Sequence, residues 1–180
     1  MLLSNFLKNP KQVGSIAPSS RFLAREMLKS ANLENAKNII ELGPGSGAFT
    51  KGILSKMNDN SRLLCFEVNK EFCSHLRKTI KDSRISLVNS RAEDMKKEME
   101  KIGMKKADCI ISGLPFRNFS KEKRNEILNE VKSSLSKDGK FVLFQYTNAM
   151  DDDLRSNFGN VEKKFILLNV PPAFVYRCVN

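Results

Sequence analysis

Nine residues near the start of this chain leave few folds open to it: Ile39-Ile40-Glu41-Leu42-Gly43-Pro44-Gly45-Ser46-Gly47. An apolar run over 38–42 reads as a buried strand. It ends in a carboxylate and then a loop with glycine at every second position. Without a Cβ, glycine lets a backbone turn sharply and approach a ligand closely. Phe49, Ile53, Leu54 and Met57 then follow at helical spacing, so the loop joins a strand to a helix. An open α/β sheet binds nucleotide-like ligands at such a junction.

Two kinds of ligand suit a loop of this type. Gly43-x-Gly45-x-x-Ala48 satisfies the dinucleotide pattern G-x-G-x-x-G/A, which alone is weak evidence. The pattern also extends upstream, as Glu41-x-Gly43-x-Gly45-x-Gly47. In that form it resembles motif I of class I S-adenosylmethionine (SAM) methyltransferases, in which the acidic residue lies near the cationic methionine end of the cofactor. A carboxylate suits an ammonium and a sulfonium, whereas a pyrophosphate prefers bare N–H groups at a helix N-terminus. The second strand, 62–67, ends in Glu67. A carboxylate there can accept from both ribose hydroxyls, but NAD enzymes place one similarly, so Glu67 does not discriminate. SAM is the expected cofactor.

The bulk properties bound the partners. A chain of 180 residues with 41% hydrophobic content can bury one sizeable core. No apolar run approaches the ~20 residues that span a bilayer. The start, Met1-Leu2-Leu3-Ser4-Asn5-Phe6-Leu7, lacks the basic region and cleavage site of a signal peptide. Cys65, Cys73, Cys109 and Cys178 are scattered and read as buried free thiols in a reducing cytoplasm. His75 has no ligand spacing around it, so no metal is implied. The net charge of +11 attracts polyanions, either nucleic acid or an anionic membrane surface. A lysine-rich solvated surface accounts for the charge equally well.

No linker, repeat or low-complexity tract divides the chain, so residues 1–180 are expected to form one domain. Helical faces alternate with strands at 62–67, 85–88, 107–112 and 140–146, and Asp138-Gly139 supplies a turn into the last of these. Two further strands at 165–170 and 174–179, joined through Pro171-Pro172, suggest an antiparallel hairpin closing the sheet. Residues 1–37 read as a helical arm with six Lys/Arg and two acids. Leu2, Leu3, Phe6 and Leu7 share one face of a short helix there. That face fits interfacial membrane contact, or packing onto the sheet over the cofactor.

The strand at 107–112 runs into Ser112-Gly113-Leu114-Pro115-Phe116, which resembles motif IV of amino-methylating enzymes. In that motif polar and carbonyl oxygens accept from the target amine and an aromatic ring packs on it. Ser112, the Leu114 carbonyl and Phe116 are the candidates, with Tyr146 and Tyr176 as aromatics for a methylated ammonium. Ser112 stands where nucleobase methylases carry Asn or Asp.

Six segments in order carry a wider resemblance: Phe6-Leu7-Lys8 with Val13-Gly14-Ser15-Ile16-Ala17-Pro18-Ser19-Ser20, residues 41–47, residues 112–116, Phe144-Gln145-Tyr146, and Asn169-Val170-Pro171-Pro172-Ala173-Phe174-Val175-Tyr176. Together they look like the bacterial phospholipid N-methyltransferase family, which uses SAM to convert phosphatidylethanolamine toward phosphatidylcholine. The resemblance implies a Rossmann-like, seven-stranded class I methyltransferase sheet, parallel with a C-terminal antiparallel hairpin and helices on both faces. It implies a cytoplasmic enzyme peripheral to the inner face of the membrane, with the 14–20 loop over the SAM site. Its cofactor residues would be Ser15, Glu41, Gly43, Gly45, Gly47, Glu67 and Ser112, and its catalytic residues Ser112, Leu114, Phe116 and Tyr146. The third-strand turn departs from the family pattern, reading Ser90-Arg91-Ala92-Glu93-Asp94. The adenine contact then falls to the Ala92 backbone, Glu93 or Asp94. Two other functions fit the same features. One is rRNA adenine N6-methylation, whose enzymes share the fold and a related N-terminal loop; the other is a SAM- or lipid-binding protein without turnover.

Overall fold

The computed structural model describes residues 21–180. The expectations for Ser15, the 14–20 loop and the helix on Leu2, Leu3, Phe6 and Leu7 fall outside the described residues. Seven strands form one sheet: β1 (Asn38–Leu42), β2 (Arg62–Phe66), β3 (Ile85–Val88), β4 (Ala107–Ser112), β5 (Leu135–Gln145), β6 (Asn160–Ile166) and β7 (Ala173–Val179). Their order is β3-β2-β1-β4-β5-β7-β6. The first five run parallel, and β7 is antiparallel to both β5 and β6. The described helices are α1 (Arg21–Ala31), α2 (Ala48–Lys56), α3 (Lys70–Thr79), α4 (Met95–Lys101), α5 (Lys121–Ser134) and α6 (Asp151–Asn157).

Strand alternation sorts the core onto two faces. Ile40, Leu42, Leu64, Ile110, Phe141 and Leu143 pack with α4, α5 and α6 on one face. Ile39, Leu63, Cys65, Ile111, Val142 and Phe144 pack with α1 and α2 on the other. Because both faces are covered, the central strands are apolar throughout, and a carboxylate among them needs a reason. All four cysteines are buried free thiols. The chain order leaves β1 toward β2 and β3, then returns to β4 and β5 on β1's other side. The carboxyl ends of β1 and β4 therefore flank the point where strand order reverses, which is where such sheets bind ligands.

Three features differ from the sequence reading. The strand expected at 165–170 is β6 at Asn160–Ile166, and 167–172 forms the turn to β7. β6 lies at the sheet edge with one neighbour, so its polar residues face water, as edge strands require, and dilute its strand signature. Helix α6 carries little sequence signal: its turns bury only Leu154, although Asp151, Asp152 and Asp153 in its first turn suit the helix dipole. The turn expected at Asp138-Gly139 is instead an irregularity within β5. Pairing jumps there from Ala107↔Leu135 to Cys109↔Lys140. A Cβ on Gly139 would lie 2.9 Å from the Ala107 carbonyl oxygen, so only glycine fits.

Candidate active site

The loop between β1 and α2 owes its path to glycine. Gly43, Gly45 and Gly47 all have positive φ, at 71°, 55° and 86°. Gly43 N donates to the Phe66 carbonyl of β2, while Gly113 N donates to the Leu42 carbonyl, so the β1 loop is stitched to both neighbouring strands. A Cβ on Gly113 would sit 3.0 Å from the Gly43 carbonyl oxygen. The cofactor-type loop and the 112–116 loop thus touch backbone to backbone.

Glu41 alternates onto the α1–α2 face and is 1% exposed. Its Oε2 accepts from Thr50 Oγ1 at 2.7 Å and from Cys65 Sγ at 3.4 Å. Its Oε1 is buried and has no hydrogen-bond partner among the described residues. Burial pushes the carboxyl up from 4.5 to about 7, against the two donors that favour its charged form. An orphaned buried carboxylate oxygen beside a glycine loop calls for a cationic donor. The ammonium of a bound amino-acid moiety fits it.

Glu67 closes the other side. Its Oε2 accepts from Gly45 N at 3.0 Å and its Oε1 from Asn69 N at 2.8 Å. Burial raises its pKa, opposed by these backbone donors. Asn89, unremarked in the sequence, donates its side-chain amide to the carbonyls of Glu67 and Val68 and so holds the ends of β2 and β3 together. Thr50 escapes the sequence reading too, although it sits one helical turn from Gly47 on the face that meets β1.

The remaining candidates separate. Ser112 is fully buried, and its Oγ accepts from Leu114 N at 3.1 Å, so it shapes its own loop. The Leu114 carbonyl, read as an acceptor for a target amine, already takes Gln145 Nε2 and Phe116 N, both at 3.0 Å. Those two donors occupy both of its lone pairs. Phe116 is 0% exposed, with edge-on contacts to Phe119 and Phe141 in the α4–α6 core. Its ring therefore presents no face to an acceptor. Tyr176 is likewise a core residue whose hydroxyl donates to Asp151 at 2.6 Å. Tyr146 is half-buried on the Glu41 side of the sheet, its ring edge against Phe144. At the third-strand turn, Ala92 is buried, Glu93 pairs with Lys123 of α5, and Asp94 accepts from Ser90. Both acidic side chains there already have partners.

Comparison with known proteins identifies the scaffold. The chain superposes on an N-methyltransferase, NodS from Bradyrhizobium japonicum bound to S-adenosyl-L-homocysteine, with a TM-score of 0.70 over 97% of both chains at 12% identity. It is 29% identical to the ornithine lipid N-methyltransferase of Singulisphaera acidiphila over 180 residues, 99% of this chain and 94% of that protein. It is 32% identical to ribosomal RNA small subunit methyltransferase A of Mycoplasmopsis synoviae over 77 residues, 43% of this chain and 28% of that one. The methyl donor of this scaffold is SAM, and the orphaned Glu41 oxygen, the glycine loop and Glu67 fit it. The sequence pattern of the methyltransferase small domain family matches residues 13–166, and the chain belongs to that family of enzymes.

Proposed function

We propose that the protein N-methylates the primary amine of a membrane lipid headgroup, phosphatidylethanolamine being the first candidate, from the cytoplasmic face of the membrane. The observation that carries this reading is the end-to-end match to a lipid N-methyltransferase. The rRNA methyltransferase A relatives are matched over less than half of their own length. Among the described residues no helix is long and apolar enough to cross a membrane, which fits an enzyme that works on lipid from one side.

SAM, when bound, supplies an electrophilic methyl group on a sulfonium. Glu41 Oε1 would hold the cofactor's ammonium, and Glu67, which braces Gly45, would hold its ribose. The Gly43–Gly113 contact fixes the acceptor loop against the cofactor loop. Catalysis by such a site rests on proximity and exclusion of water, because the transfer needs a neutral amine aligned with the methyl group rather than a strong base. Tyr146, on the Glu41 side, offers its ring to the ammonium that forms.

Gln145 holds the Leu114 carbonyl and with it the acceptor loop. Gln145→Leu is expected to lower kcat by about tenfold or more through lost alignment. SAM affinity, measured by calorimetry, should stay within about twofold, because the Glu41 and Glu67 contacts are untouched. The reaction itself is tested with methyl-labelled SAM and three acceptors: phosphatidylethanolamine vesicles, ornithine-lipid vesicles and unmodified rRNA. Label in a lipid amine is expected. Label in RNA alone would favour the second reading, rRNA adenine methylation, which the +11 charge and the rRNA-methylating relatives support.

A further inference from the structure

The described surface carries one concentrated apolar exposure that the fold does not use. In the turn from β6 to β7, Leu167 is 69% exposed, Leu168 65% and Val170 83%. Phe165 on β6 and Phe22 on α1 add exposed rings at 52% and 39%. The turn is internally braced: Asn169 is buried, its N donating to the Ile166 carbonyl and its Nδ2 to the Pro171 carbonyl. The leucines therefore project from a defined scaffold. Such a cluster on an isolated chain marks a surface that meets something apolar.

Its position and its charge say what. β6 and β7 pair Ile166↔Ala173, while β5 and β7 pair Gln145↔Phe174, so the turn lies at the carboxyl edge of β5. The loops after β1 and β4 are on that same edge. At ~4.8 Å per strand, the turn stands roughly 10–15 Å along the edge from the 112–116 loop. Beside it, a groove of about 320 Å³ is lined by Phe22, Phe165, Leu167 and Leu168 with Arg25, Lys29 and the acid Glu26. Glu26 is neutralised by Lys164 at 2.8 Å. An apolar tip flanked by cations on the substrate edge complements anionic headgroups above hydrocarbon.

We propose that this edge is the membrane-docking surface: Leu167, Leu168 and Val170 enter the interface of an anionic phospholipid bilayer while Arg21, Arg25 and Lys29 meet its phosphates. The inference rests on the lipid-acceptor reading, and it differs from docking through residues 1–20. A bilayer held against this edge brings headgroup amines to the 112–116 loop without extracting the lipid.

The chain has no tryptophan, so Leu167→Trp introduces a lone fluorescent reporter. On vesicles of phosphatidylglycerol and phosphatidylethanolamine its emission should shift to the blue and be quenched by bromine-labelled acyl chains. The shift should weaken as salt is raised. The triple variant Leu167→Ser, Leu168→Ser, Val170→Ser should bind those vesicles about tenfold or more weakly, since serine removes the buried apolar area. It should still methylate a short-chain, water-soluble phosphatidylethanolamine at the unsubstituted rate. Water-like indole emission from the vesicle-bound Leu167→Trp protein overturns the proposal, as does triple-variant binding equal to that of the unsubstituted chain. A lipid-free dimer that the triple variant dissolves assigns the patch to a second copy and also overturns it. No label in the short-chain lipid, with the Leu167→Trp reporter still inserting, overturns the lipid-acceptor reading and leaves the docking surface standing.

Discussion

Glu41→Gln will cost SAM binding about 30-fold or more while leaving the fold intact or firmer. The substitution keeps the shape and one acceptor for Thr50 but removes the charge that the proposed site sets opposite the cofactor's ammonium. Losing a charge-assisted contact at a buried site costs about 2 kcal/mol or more, which is the stated factor. Without ligand the effect reverses. Burial raises the Glu41 carboxyl from 4.5 to about 7, so near neutral pH its ionised form is a burden on the fold, at about 3 kcal/mol when fully charged. A carboxyl raised in the folded state binds more protons there than in the unfolded chain. Its stabilising contribution is complete below pH 4.5 and is lost as pH rises through about 7. Urea unfolding of the apoprotein should therefore show stability falling over that window in the unsubstituted chain, and a flatter profile in Glu41→Gln. SAM affinity should run the other way, improving as Glu41 ionises. A Glu41→Gln protein with unchanged SAM affinity would remove this residue from the site.

Phe116→Ala should instead strongly destabilise the protein. The ring is fully buried against Phe119 and Phe141, and emptying such a position costs about 3–5 kcal/mol. Against a total stability of about 5–15 kcal/mol, that shifts the denaturation midpoint markedly and lowers turnover through loss of folded protein. Phe116→Leu separates the two roles, because it fills most of the volume and removes the π face. Near-normal turnover in Phe116→Leu, with a modest loss of stability, is the expected result. A catalytic ring would give the opposite pattern, with stability kept and turnover lost.

The two residues differ in how far the unfolded chain reveals them. Motif resemblance puts Phe116 beside the acceptor. The motif sets the residue's position on the loop but not the side of the sheet its ring enters. That choice follows from the short 3₁₀ turn at Phe116–Asn118, which carries the ring down among α5 and β5 residues. The Leu114 carbonyl reads as a free acceptor for a similar reason, because its partner Gln145 lies 31 residues away on another strand. β6 is displaced from its expected place because an edge strand rich in Lys and Glu carries little apolar alternation.

The sequence alone determined the strand, glycine loop and helix at 39–57, the alternation of parallel strands with helices through 145, and the placing of Glu41 and Glu67 at strand ends. All of these are local: apolar periodicity, glycine spacing and a carboxylate at the end of an apolar run. Only the tertiary structure decided which polar atoms are already satisfied and which are not. It joined Gln145 to Leu114 and Lys123 to Glu93, left Glu41 Oε1 without a partner among the described residues, and set Leu167, Leu168 and Val170 exposed at the carboxyl edge of the sheet. These depend on pairings between distant segments, and no spacing along the chain encodes them.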